Sequence, residues 1–421
     1  MNAKHRFRPN LEGLESRWTP ATIRLVAGNL FITNPTGNLS VTSQASNTVL
    51  VNDSGKLVTV SGVGGLISIT GTNANNTITF DATVPYNGNL LVNSGNGNDT
   101  VNLIGTLGGN ATLLTGSGAD SVALTGDATI SGGLSIVDPL GGVSLSQAGN
   151  ALAVGGNLAV TGITSYTPGT GALTVGGNVS FTAGRGLNML LTLNGALGVG
   201  GSLSVRGSSG DDVIAASSPT TSFAIVGNAT FALGDGTNGV GMQPTAFASS
   251  IGGNLSYTGG SGQDVLALSG NLAVPVTVDG NVTVNLGEGN ANRMTHGVAG
   301  VIGGHLSVTS GNGNSGGPTT FSGVVNGDLS ITLGNGNNTG INVDRAPAGT
   351  LRYRAGNGTN VLRINGTDTY LVDLLFGTGT DTLTFTGAST VNGRIVGTGG
   401  NYTLNQSTAV FSPNLQLINF P

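Results

Sequence analysis

Four nine-residue stretches of the 421-residue chain carry its most specific chemistry: GNGNDTVNL from Gly95, GSGADSVAL from Gly116, GSGQDVLAL from Gly260 and GTGTDTLTF from Gly377. Each sets one carboxylate behind a Gly-x-Gly corner and ahead of an alternating apolar run. A hard cation such as calcium needs six to eight oxygen ligands, and stacked carboxylates beside accessible glycine carbonyls supply that donor type. Asp99 and Asp120 are the two that fall in neighbouring copies with both glycines intact. No cofactor is expected other than calcium, which, if bound at all, would sit between them. The other reading of the same residues is a turn-forming ladder of Asp and Asn.

A second concentration of charge lies near the C-terminus. If Leu351/Tyr353 and Leu362/Ile364 point inward, then Arg352, Arg354 and Arg363 all point outward on one coil, with Asp373 and Asp381 on the next. Three guanidinium groups together could grip sulfate, phosphate or an acidic glycan. A solvated cluster that keeps the terminal coils from associating edge to edge is the competing role. The one adjacent acidic pair, Asp211-Asp212, does not make a catalytic pair, because neighbouring residues of a strand face opposite ways. His5, His296 and His305 are too scattered for a metal site, and no Ser/His/Asp or Cys/His constellation is legible. No catalytic residues are expected.

The elements that position these residues follow from composition. With 75 Gly, no Cys and 8% charged residues, the chain is far from an ordinary globular domain, where about a quarter of residues are charged. Glu appears only at Glu12, Glu15 and Glu288 and Lys only at Lys4 and Lys56, so the builders of helix surfaces are missing. Val, Ile, Leu, Thr, Ser, Asn and Gly suit short strands joined by tight turns. Beyond Arg24 the chain is mildly acidic, with no basic footprint for nucleic acid. Gly, Asn or Thr interrupts every hydrophobic segment, so no run of about 20 apolar residues could span a bilayer.

The strands recur. Aligning the first apolar residue after each Gly-Asn-like corner, from Leu39, Leu66 and Leu90 to Leu371, Ile395 and Leu415, gives 17 units about 24 residues apart. A second ladder runs through Asn76, Asp99, Asp120, Asn188, Asp212, Asn238, Asp264, Asn338, Asn360 and Asp381 with the same period. The period predicts an all-β fold: a single right-handed parallel β-helix of about 17 coils, three short strands per coil, over residues 23–421. At about 4.8 Å per coil the rod would be roughly 80 Å long. A propeller needs about 40 to 45 residues per blade, and the period rules against it. Asn157, Asn178, Asn254 and Asn281 follow Gly corners at equivalent positions, where side chains of neighbouring coils can hydrogen-bond; His305 and Asp328 occupy the same slot.

Residues 1–22, MNAKHRFRPNLEGLESRWTPAT, form a separate, flexible segment with a basic start but no apolar h-region. The stretch from Arg6 to Thr22, on Leu11, Glu12, Leu14, Glu15, Arg17, Pro20 and Ala21, resembles the LEPR-XLL type of N-terminal sorting segment found in many planctomycete surface and secreted proteins. That resemblance implies an exported protein of the cell surface or extracellular space, and implies nothing about the activity of the body. The Gly-x-Gly-x-Asp stretches resemble half of the calcium-binding nonapeptide of RTX proteins. They depart from it in having one copy per coil rather than tandem copies, and in carrying Asn238, Asn338 and Asn360 at the Asp position. The expected function is a noncatalytic structural or adhesive protein of the cell envelope, with cell-envelope components or glycans as partners. The alternatives are a glycan-binding or glycan-cleaving β-helix protein and an RTX-like calcium-binding surface protein.

Overall fold

A strand that alternates Leu, Val or Ile with Thr, Ser or Asn can bury only one face, and sharp glycine corners let three such strands enclose a common interior. The computed structural model describes residues 21–148, 151–169, 171–216, 221–244, 247–270, 274–315 and 317–420. The described residues are all strand and turn. They form a parallel β-solenoid of about 15 turns, slightly fewer than the 17 units read from the sequence.

Each strand pairs in parallel with its counterpart one turn away. On the first face Leu203, Ala229, Leu255, Val282 and Leu306 stack in register. On the second, Ile214, Val240, Leu266 and Met294 do so. On the third the stack is Val199, Ile225, Ile251, Val278 and Ile302. All of these side chains are buried, and they belong to one continuous apolar core. Within Leu255–Gly259, Leu255 and Tyr257 point inward while Ser256 and Thr258 face out, as period two requires.

The N-terminal end is built differently. Strands β1 (Thr22–Val26) and β2 (Asn29–Thr33) form an antiparallel hairpin. Strands β3 (Asn38–Gln44), β4 (Thr48–Asp53) and β5 (Lys56–Ser61) form an antiparallel meander. The cause is local: Ala27-Gly28 and Ser54-Gly55 have positive φ at both positions, the tight reversal that fits the twist of a two-stranded ribbon. Strands β2 and β3 already stack in parallel on Leu66–Thr70 and Thr77–Tyr86 of the next turn, while β1, β4 and β5 pair only within the hairpins and cap the coil. Leu39 belongs to the second face, opposite Ile78, rather than to the ladder that begins with Leu66 and Leu90. That ladder itself departs from the alignment at four places, two of them at the C-terminal end, where Ile395 lies opposite Leu374 and Leu417, not Leu415, lies opposite Ile395. Ile67, not Leu66, lies opposite Leu90, and Val372, not Leu371, lies opposite Leu351. The sorting-like segment lies outside the described residues except for Ala21 and Thr22.

Candidate functional site

The Gly-x-Gly-x-Asx corners sort their residues by side. The intervening positions face outward, and each accepts the N–H of its equivalent one coil later: Asn312 from Asn335 at 3.0 Å, Asn335 from Asn357 at 3.0 Å, Asn314 from Asn337 at 2.8 Å. The Asx residue turns inward and is buried. Asn238, for example, is 1% exposed, and its Nδ2 donates to the carbonyls of Gly234 (2.9 Å) and Gly236 (3.3 Å) in its own corner. Glycine is obligatory where corners stack: a Cβ on Gly116, at φ 88°, would lie 1.7 Å from the carbonyl oxygen of Gly95.

The inner ladder corrects two positions of the sequence alignment. Asn188 is not in it; Met189 pairs with Asp212, so Asn188 is level with Asp211 on the outer surface, where its Oδ1 accepts the Asp211 N–H at 2.9 Å. Asn292 is in it, 2% exposed, with its Oδ1 accepting the Asp264 N–H at 2.8 Å. Sequence reasoning missed Asn292 because its corner holds one extra residue, Ala291, at φ 65°.

Where the inner slot holds Asp, a second acceptor stands in the place of the amide donor. Asp99 Oδ1 accepts the Asn76 N–H at 2.7 Å, and Asp120 Oδ1 accepts the Asp99 N–H at 2.7 Å. The Oδ2 atoms of both are buried without a partner. A third carboxylate, Asp138, joins them. It is 1% exposed, its Oδ1 accepts the N–H of Gly141 at 2.7 Å, and its Oδ2 is likewise unpartnered. Asp138-Pro139-Leu140 followed by two glycines is the turn signal that could have found it. Burial pushes the Asp120 carboxyl up to about 6; the Asp99 N–H opposes this, and the neighbouring charges of Asp138 and Asp99 add to it. Burial likewise raises Asp138.

These residues supply oxygens of the type calcium takes. Because each Oδ1 is already committed to an N–H, Asp99 and Asp120 contribute one free carboxylate oxygen apiece, well short of six to eight. Among the described residues no group of three or more acidic or histidine side chains has the arrangement to hold a metal ion.

The arginines are placed on two faces. Arg352 and Arg354 lie on the first, level with Asp373 and Leu375, whereas Arg363 lies on the second, level with Asn342 and Thr384. Arg352 pairs with Asp328, Arg354 donates to Asp373 Oδ2 at 2.5 Å, and Arg394 Nε donates to Asp373 Oδ1 at 2.7 Å. Hydrogen bonds from Arg394 and then Arg354 hold Asp373 below the usual carboxylate range. The Thr350 N–H and then Arg352 do the same for Asp328. Arg363 reaches the Thr339 carbonyl at 3.4 Å. Asp381 is not beside them; it is fully buried in the inner ladder, where its Oδ1 accepts the Asn360 Nδ2 at 2.8 Å. The structure thus brings Arg352 and Arg354 together, already neutralised, and leaves Arg363 apart.

The outer corner ladder is present as side chain to backbone bonds rather than amide to amide. Asn157, Asn178, Asn228, Asn254 and Asn281 each accept through Oδ1 the N–H of the next coil, all at 2.8 Å except that Asn157 and Asn178 are followed by Ser202, whose Oγ serves Asn228 at 3.1 Å. His305 fits the slot as a ring acceptor, its Nδ1 taking the Asp328 N–H at 2.9 Å.

A surface cleft of about 610 Å³ opens beside Pro139, Leu140, Thr164, Arg185 and Leu187, with Arg185 its one charged side chain. Hydrolysis or elimination at a glycan needs convergent acid and base groups, which this lining does not provide. Asp211 and Asp212 also do not converge: Asp211 faces out and Asp212 is fully buried. No helix among the described residues is long and apolar enough to cross a membrane. Compared with protein-family models, curated proteins and solved structures, the chain matches none.

Proposed function

We propose that this protein is a noncatalytic structural or adhesive element of the cell envelope or extracellular space, presenting the flat exterior of its solenoid to neutral glycan or other envelope material. One observation carries the reading. On the first face a hydroxyl row runs in register from Ser180 through Ser204, Thr230, Ser256, Thr283 and Ser307 to Ser330, and stops at Arg352. Successive hydroxyls stand about 4.8 Å apart on a rigid parallel sheet, so many weak polar contacts can form at once without ordering flexible loops. The buried oxygens of Asp99 and Asp120 leave a calcium-strengthened version of the same role open to test.

The test has two arms. Fractionation of native cells with an antibody to the chain should recover it in envelope or medium, and recovery in the cytoplasm would remove the envelope reading. Purified protein incubated with insoluble wall polysaccharide should co-sediment without releasing reducing ends or unsaturated sugars. Steady release of either product would establish the glycan-cleaving alternative instead.

A further inference from the structure

His296 is fully buried, and apart from the nearby Gly300 backbone neither ring nitrogen has a hydrogen-bond partner. It stands in an apolar stack, with Leu268 one coil before it and Phe321 one coil after. The space for the ring is carved by two glycines. A Cβ on Gly300 would lie 2.5 Å from the ring Cδ2, and one on Gly323 would lie 2.5 Å from Cε1 and Nε2. Any side chain at either glycine would therefore expel the imidazole.

On the second and third faces the strands of these coils pair over only two or three residues. Arg293–His296 and Gly300–Ile302 are followed by Thr319–Phe321 and by the two-residue strand Val324–Val325. Among the described residues Val324–Val325 pairs with no later strand; past it the chain is held by Ala348 N to Val325 O and Gly349 N to Gly327 O, each at 2.9 Å, while on the first face Leu306–Ser310 pairs over five residues with Leu329–Leu333. On the two faces that hold the ring few ladder bonds resist parting, so local opening there costs less than in the long-stranded coils.

We propose that the coils from Arg293 to Val325 are an acid-sensitive joint, closed while His296 is neutral and opened when it takes a proton. The ring has no counter-ion to keep its charge inside. Of the charged groups on the elements around it, Arg293 on its own strand, Asp279 and Arg345 are exposed, Asp344 is turned to Ser322 Oγ at 2.7 Å, and Asp264, buried at the far end of the paired strand Asp264–Leu268, is engaged by Asn238 Nδ2, the Tyr257 hydroxyl and the Gly260 N–H. Burial lowers the folded-state pKa of the ring to about 4, with the Gly300 backbone offsetting part of the effect. The depressed value means that the unfolded or opened segment binds the proton more tightly. Stability at the joint is therefore full above the ordinary value near 6.5 and is lost progressively as pH falls toward 4.

Hydrogen exchange of the full chain at pH 7.5 and 4.5, corrected for intrinsic rates, tests this. Peptides covering 293–302 and 319–325 should lose protection by about fifty- to a hundredfold, and Leu173–Val205, whose coils contain no Asp, Glu or His, should not. Equal loss in both regions, or none in either, would overturn the proposal. In His296→Leu the acid-specific opening should disappear; should that variant fail to fold, His296→Gln serves in the same assay. Opening that persists in a folded, non-titrating variant would assign the effect elsewhere.

Discussion

Asp120→Asn changes one atom in a buried slot and should stabilise the rod at neutral pH. The asparagine keeps Oδ1 for the Asp99 N–H at 2.7 Å and places a donor where Oδ2 now has no partner. The chain supplies its own precedent, since Asn360 donates to the carbonyls of Gly356 and Gly358 at 3.3 and 3.1 Å from the same position. The magnitude follows from the carboxyl, whose folded-state value of about 6 stands about two units above its ordinary 3.8. Two units correspond to about 3 kcal/mol. Because the folded value is raised, the stabilising contribution is the protonated one, fully present below pH 3.8 and lost as pH rises through about 6. At pH 7.5 the wild type bears that cost, and the variant should recover about 1 to 3 kcal/mol of it; at pH 3.5 the two should be nearly equal. Urea unfolding at both values, with hydrogen exchange over 111–130 to localise the gain in a rod that need not unfold in one step, measures the difference. A variant less stable than wild type at pH 7.5, or a gain that does not shrink in acid, would refute the electrostatic reasoning.

Other substitutions probe the remaining layers of the structure. Leu255→Asp sets an unpaired charge in a fully buried stack and should cost about 4 kcal/mol or more, whereas Thr258→Asp on the exposed side should change urea stability by less than about 0.5 kcal/mol. Gly116→Ala should cost about 2 to 4 kcal/mol, because its Cβ would meet the Gly95 carbonyl at 1.7 Å and φ is 88°; a silent alanine would show that the corners are looser than drawn. Millimolar calcium should raise the melting temperature of the wild type and not of Asp99→Asn/Asp120→Asn if the pair binds the ion. An equal response in the double variant would place the effect at another site, and no response in either would leave both residues as turn formers.

Much of the coil was legible because two chemical periods coincide, apolar residues for the interior and Asx residues for the corners. What escaped were breaks in those periods. The N-terminal hairpins depend on positive φ at Ala27, Asn47 and Ser54, non-glycine residues whose letters do not announce a reversal. Leu66 and Leu371 misled because each sits beside an equally apolar residue, Ile67 or Val372, and only packing decides which turns inward. Asn292 was hidden by a one-residue bulge, and Asp138 by standing outside the Gly-x-Gly pattern. For the charged residues, spacing placed Arg352 and Arg354 correctly on one outer face but could not show that Arg363 is on another face, or that Asp328 and Asp373 already occupy the first two.

The two Asx ladders run in opposite senses along the rod. On the outer corner a side chain in one coil accepts from the backbone of the coil that follows; in the inner ladder a side chain accepts from the coil that precedes, as Asp120 does from Asp99 and Asn292 from Asp264. A coil docked on its predecessor thus finds an acceptor waiting outside and brings one for the inside. A slip of one residue would strand polar groups in both places at once, turning a buried Asx to water and an apolar residue to the corner. Together the ladders work as a two-toothed register gauge, which lets a chain of near-identical repeats distinguish the correct neighbour from one displaced by a single step.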